Sequence, residues 1–158
     1  MISSPDEPYM REALELATRA GALGEVPVGA VAVRGDQVVG RAFNLRETER
    51  DPFGHAELRA MSQAARALRS WRLEGVSLFV TLEPCAMCAG AMVQARIERL
   101  VFGARDPKAG AVGSLYNLLE DPRHNHRVQV SEGLLASECG QILSDFFRDL
   151  RQRRGTTE

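Results

Sequence analysis

Four residues in two short motifs carry the most chemistry in this chain: His55 and Glu57 in His55-Ala56-Glu57, and Cys85 and Cys88 in Pro84-Cys85-Ala86-Met87-Cys88. Two cysteines three apart at the start of a helix share one face, so both sulfurs reach one ion. A helix N-terminus also favours the thiolate, which is the form that binds metal. One imidazole and two thiolates suit zinc. A closed structural zinc site needs four protein ligands, and the sequence offers no obvious fourth: Cys139 lies in a distant helical run, and His124 and His126 sit in a separate polar loop. Three ligands leave one position for water, which is the catalytic pattern. Glu57 is two residues from His55, a spacing that does not share a helix flank. Both serve one site only off a helix N-terminus, where the first turn converges. The ion then belongs between the N-termini of two helices, one starting near His55 and one near Cys85. A carboxylate beside an activated water takes its proton and later delivers it to a leaving group.

The elements that must position these residues are legible from period and punctuation. Ser4 to Glu7 reads as a capping box, with Pro5 in the first helical position. Met10, Ala13, Leu14, Ala17 and Ala20 keep helical spacing, which predicts a helix over about 5–22, closed by Gly21 and Gly24. Val26–Val33 and Gln37–Phe43 read as a hairpin turning at Gly35-Asp36. Asn44–Gly54 is a polar loop, and His55–Leu68 a second helix. Ser77–Leu82 is a buried strand that Pro84 ends, leading into a third helix over Cys85–Ala95. Then come a strand at Leu100–Phe102, a glycine-bearing loop at Arg105–Gly113 and a short helix at Ser114–Leu119. A strand at Arg127–Val130 and a helix from Leu134 to about Arg153, broken near Gly140, complete the chain. Alternating strands and helices predict an α/β fold with a mixed sheet and helices on both faces. The crossovers after the third strand are expected to run parallel and right-handed.

The whole-chain numbers set limits. At 158 residues the expectation is one domain over 1–158, with an ordered core over about 5–150. Twenty basic residues against 21 acidic ones give a net charge of -1, so there is no global basic field for duplex nucleic acid. The densest positive cluster is Arg148, Arg151, Arg153 and Arg154, which reads equally as a solvated face or a phosphate-binding strip. Three cysteines are too few, and odd in number, for a disulfide scaffold. A spaced Cys pair reads as a metal or redox site in a reducing compartment. With no apolar run of membrane length and no signal-peptide pattern, the expected location is the cytoplasm, with no membrane partner.

A lone CxxC is ambiguous between metal, redox and structural roles, and a lone HxE is weak. Their combination, H-x-E…P-C-x-x-C, is the recognised signature of zinc nucleobase deaminases. Around it the chain resembles the bacterial tRNA-specific adenosine deaminases from about Tyr9 to Arg148. The likeness runs through Glu25-Val26-Pro27-Val28-Gly29-Ala30, Asn44, Thr81-Leu82-Glu83-Pro84-Cys85 and Met87-Cys88-Ala89-Gly90-Ala91-Met92. It continues through Phe102-Gly103-Ala104-Arg105-Asp106 with Lys108, Asn125-His126-Arg127-Val128 and Ser144-Asp145-Phe146-Phe147-Arg148.

The resemblance implies a cytidine-deaminase-like three-layer α/β/α sandwich around a mixed five-stranded sheet, one Zn2+ per subunit, and a homodimer. The implied activity is a hydrolase acting on the C–N bond of an amidine: hydrolysis of the wobble adenosine in a tRNA anticodon stem-loop to inosine. In that likeness His55, Cys85 and Cys88 hold zinc, Glu57 shuttles protons, and the backbone of Ala56 positions the water. Asn44 bonds the flipped base, and Val28 and Leu82 line its pocket. Asp106 and Lys108 meet neighbouring nucleotides, while Phe146, Phe147 and Arg148 hold the anticodon loop. On physics alone Asn44 reads as a turn cap, Asp106-Pro107 as turn chemistry and Phe146-Phe147 as core packing. The chain departs from the family at Phe53-Gly54, where a small polar residue and alanine are usual; Phe53 is expected near the pocket mouth. The zinc motif is shared with deaminases of free guanine, cytosine and small pyrimidines, so it does not by itself choose the substrate.

Overall fold

The computed structural model describes residues 4–156. Its elements are α1 (Glu7–Ala22), β1 (Gly29–Arg34), β2 (Gln37–Phe43), α2 (Ala56–Leu68), β3 (Val76–Leu82), α3 (Ala86–Ala95), β4 (Arg99–Ala104), β5 (Gln129–Glu132) and α4 (Ala136–Thr156). The strands form one mixed sheet in the order β2-β1-β3-β4-β5. β1 runs antiparallel to both β2 and β3, while β3, β4 and β5 are parallel.

Alternation along the strands builds two cores. Val31, Val33, Phe79 and Val101 point to one face and pack with Met10, Ala13 and Leu16 of α1 and Cys139 of α4. Ala30, Ala32, Leu78, Val80, Leu100 and Phe102 point to the other, against Ala56, Ala60, Met61 and Ala64 of α2 and Cys88, Ala89, Met92 and Val93 of α3. This is the expected three-layer sandwich. Burying a ring such as Phe79 or Phe102 contributes roughly 1.5–3 kcal/mol.

Two glycines let the layers close. A Cβ on Gly29 would overlap the α1 backbone at Ala13, and one on Gly40 would overlap the α2 backbone at Ala60. Glycine inside a strand marks such a close approach. α1 and the middle of α2 are thereby seated tightly against β1 and β2.

Several expectations change. The structure starts α1 at Glu7 with Asp6 as N-cap and no side-chain cap. Ser4 Oγ instead accepts from the Asp6 amide at 3.2 Å, so there is no capping box. Residues 114–119 form turns and an isolated bridge, Val112 with Asn117, and not a helix. The last strand lies two residues later than expected, at Gln129–Glu132. α4 continues through Gly140 without a break, because a half-exposed glycine with open space around it weakens a helix without ending it.

Candidate active site

α2 and α3 begin side by side, and the first residue before each is a ligand-type side chain. His55 is the N-cap of α2 and Cys85 the N-cap of α3, both in extended backbone and neither using its side chain to cap its helix. One imidazole and one thiol are thus free to face each other. His55 Nδ1 lies 3.6 Å from Cys85 Sγ and 3.4 Å from Cys88 Sγ. All three ligand atoms fall within 4.8 Å of one another, and among the described residues this is the one such group. A tetrahedral ion with bonds of about 2.3 Å to sulfur and about 2.0–2.1 Å to nitrogen separates its ligands by about 3.5–3.8 Å. The donor set and the observed spacing therefore fit a metal.

The electrostatics agree with that use. The Cys85 thiol is lowered to about 3, first by the hydrogen bond from Cys88 and then by His55. Cys88 keeps its proton, held up by the same Cys85 contact and by burial. The pair carries one negative charge before any cation arrives. His55 is raised, chiefly by its bond to Cys85. Glu57 is buried in the first turn of α2 and is raised by desolvation, with His55, Cys85 and Cys88 all close enough to act on it.

A pocket of about 250 Å³ opens onto this cluster. Among the residues anticipated from the sequence, it brings together His55, Ala56, Glu57, Cys85, Val28, Asn44, Leu82 and Asp106. Asn44 spends part of its amide on its own neighbourhood: Nδ2 donates to the Val26 carbonyl at 3.2 Å, and Oδ1 accepts from the Arg46 amide at 3.2 Å. One N–H and one lone pair remain for a ligand. Asp106 also braces its own loop, with Oδ1 accepting from the amides of Lys108 and Ala109 at 3.0 and 3.2 Å.

Other anticipated residues lie elsewhere. Lys108 is exposed and does not line the pocket. Phe146, Phe147 and Arg148 sit on α4, which packs on β4 and β3 and contributes nothing to the pocket wall. The two rings stack edge-on, 5.4 Å apart, with Phe147 the more exposed, and Arg148 pairs with Asp145 at 3.1 Å. Phe53 is not at the pocket mouth. It lines a separate groove of about 560 Å³ along α2 and α3, together with Trp71, Met61 and Ala91. His126 bonds the Ile97 carbonyl at 2.6 Å and neither joins the cluster nor lines the pocket.

Two functional candidates were missed. Glu25 and Glu83 both line the pocket and both are almost wholly buried. The available signal was a glutamate beginning an apolar run at Glu25-Val26 and another closing one at Leu82-Glu83. Each is held below its ordinary value of 4.5 by hydrogen bonds that outweigh burial. For Glu25 these come from Thr48 and Glu47, and for Glu83 from Ser114, Asp106 and Val112.

Known proteins bear on these findings. The MafB19-like deaminase family matches residues 4–151. The chain is 53% identical over 149 residues to a tRNA-specific adenosine deaminase of Bacillus subtilis, spanning 94% of this chain and 92% of that one. It is 49% identical over 150 residues to a tRNA-specific adenosine deaminase of Haemophilus influenzae, spanning 94% and 87%. A solved structure from studies of A-to-I editing by tRNA:A34 deaminases at the wobble position superposes with a TM-score of 0.83 at 44% identity, covering 86% of this chain and 99% of that one. A guanine deaminase from Nitrosomonas europaea superposes with a TM-score of 0.78 at 24% identity over 92% and 86%, a likeness of fold alone.

Proposed function

With the chain belonging to the tRNA-specific adenosine deaminases, within the MafB19-like deaminase family, we propose that it converts the wobble adenosine of a tRNA anticodon to inosine. The observation that carries the reading is one pocket lined by His55 and Cys85 of the His–Cys–Cys cluster and by the buried Glu57.

His55, Cys85 and Cys88 would hold one zinc ion. Zinc supplies a water acidic enough to lose its proton near neutral pH. Glu57 would take one proton from the attacking water and pass it to N1 of the adenine ring, then take the remaining hydroxyl proton as the C6 carbonyl forms and pass it to the departing amine. A C6–O bond forms, the C6–N bond breaks, and ammonia leaves. A carboxyl raised toward neutrality by burial can both accept and donate protons under working conditions. The remaining Asn44 N–H and lone pair orient the flipped base, the Ala56 backbone amide orients the water, and Val28 and Leu82 exclude solvent around the ring.

The anticodon loop supplies the rest of the affinity. Single-stranded loops are read by stacking and edge hydrogen bonds, which suits a chain of net charge -1. Lys108, Phe147, Arg148 and, less directly, Phe146 would meet RNA outside the pocket. A homodimer would cover the groove where Phe53 and Trp71 stand exposed, and sedimentation of the zinc-loaded protein tests it. Reduced thiols at the site fit the cytoplasm. No helix among the described residues is long and apolar enough to cross a membrane. The test of function is incubation of zinc-loaded protein with stem-loops bearing A, C or G at the wobble position. Inosine from the adenosine substrate alone supports the reading. Ammonia from free guanine or cytosine, with none from RNA, overturns it.

A further inference from the structure

We propose that Glu25 and Glu83 are paired positioning residues: each spends a buried carboxylate on the backbone of one loop, and together they set the two walls of the base pocket. Glu83 Oε1 accepts from the Asp106 amide at 3.0 Å, and its Oε2 accepts from the amides of Val112 and Ser114 at 3.0 Å each. The Ser114 hydroxyl donates to the same carboxylate. On the opposite wall, Glu25 accepts from the amides of Glu47 and Thr48 at 3.1 and 2.6 Å, with the Thr48 side chain adding a third bond.

Both loops reach into the pocket, through Asp106 and Ala109 on one side and Asn44, Arg46 and Glu47 on the other. The fit on the Glu83 side is tight, since a Cβ on Gly110 would overlap the carboxylate. The same segment is zipped to the metal-binding turn. Gly110 bridges Cys85, and the Ala111 amide donates to the Pro84 carbonyl at 2.8 Å. Glu83 therefore sets the distance between the cluster and the loop holding Asp106. Neither carboxylate is needed for a proton transfer that Glu57 already performs. Their oxygens are committed to loop amides and are not presented to a ligand.

Glutamine is the discriminating substitution. It keeps the shape but turns an acceptor oxygen into an N–H group that opposes the loop's own N–H donors. Each substitution therefore releases its own loop and leaves the other in place. This reading rests on the proposed function for what the pocket holds, while its first measurement needs no substrate.

The experiment compares zinc-loaded Glu25→Gln, Glu83→Gln and unaltered protein by amide hydrogen exchange, then by deamination of stem-loops with swapped neighbours of the wobble adenosine. Glu83→Gln should speed exchange in 105–114 and not in 44–54, and Glu25→Gln should do the reverse. Per bound zinc, each should lower kcat/KM by about 10–100-fold, the scale of a misplacement near 1 Å. Glu83→Gln should also flatten the preference among flanking nucleotides, a ratio that a loss of folded enzyme cannot change. If a glutamine variant does not fold, Ser114→Ala and Thr48→Ala remove one donor each and should show milder versions of the same pattern. Ser114→Thr and Thr48→Ser should restore it. Unchanged exchange, loosening of both loops by each variant, or an unaltered flanking preference in Glu83→Gln would overturn the proposal. An inactive unaltered protein would overturn the function instead, with the exchange pattern still deciding the clamps.

Discussion

Cys88 and Cys139 are equally buried thiols, on opposite faces of one sheet, and they differ in what stands beside them. Cys139 packs on Gly103 beneath α4, and burial pushes its thiol up to about 12. Such a thiol is a small hydrophobe. Cys88 is in the first turn of α3, bonded to a Cys85 that is lowered to about 3 and to His55. The difference is not exposure. It comes from His55 and Cys85, the N-cap residues of α2 and α3, standing beside Cys88 with their side chains uncommitted to capping. Among the described residues no such group of ligand-type side chains gathers around Cys139, so its sulfur fills space.

That contrast can be broken most severely by removing a sulfur from each face. Cys88→Ala or Cys85→Ala should reduce bound zinc from one per chain to near zero and deamination to background. Cys139→Ala should keep one zinc per chain and the same turnover per zinc, at a stability cost of about 1 kcal/mol in a denaturant melt. Zinc loss in Cys139→Ala would erase the distinction. Glu57→Gln comes next. It should keep zinc and fold but lower kcat by about 10²–10⁴-fold, the range for a lost general acid–base group.

Alkylation of zinc-free protein sharpens the comparison further. At pH 6 iodoacetamide should modify Cys85 first, since it alone is thiolate there, and leave Cys139 untouched in the folded state. Equal labelling of both would contradict the assigned environments. The smallest effect concerns acid. Glu25 and Glu83 lie below 4.5 when folded, so their contribution is complete above 4.5 and fades as pH falls below it, toward their folded values. Between pH 4.5 and 3, stability of the unaltered protein should drop more steeply than that of Glu83→Gln. Parallel curves would remove Glu83 from the account.

The same contrast explains what could be read in the sequence. The metal-binding trio was legible because its signals are local: a proline before the first cysteine, a three-residue spacing, and a loop-to-helix change at His55. The two core faces were legible through alternation in β1 and β3. Segment 114–119 was misjudged because its apolar residues suggest a helix, while the Ser114 amide is captured by Glu83, 31 residues earlier, and those of Leu115 and Leu118 by the carbonyls of Gly110 and Ala111. Glu25 is 22 and 23 residues from the amides it holds. No period or motif encodes bonds at such distances. Phe53 was misplaced for a related reason. The turn that bonds the Phe53 amide to Asp51 at 2.9 Å leaves the ring in the α2/α3 groove, away from the pocket.

The central claim is that the cluster of His55, Cys85 and Cys88, served by Glu57, deaminates the wobble adenosine. Its most direct test is nucleoside analysis of an anticodon stem-loop after incubation with zinc-loaded protein, zinc-stripped protein, and zinc-loaded Glu57→Gln. The account predicts inosine at the wobble position from the first sample and essentially none from the other two, with re-added zinc restoring the second. Inosine formation that survives both zinc removal and the Glu57 substitution would contradict it.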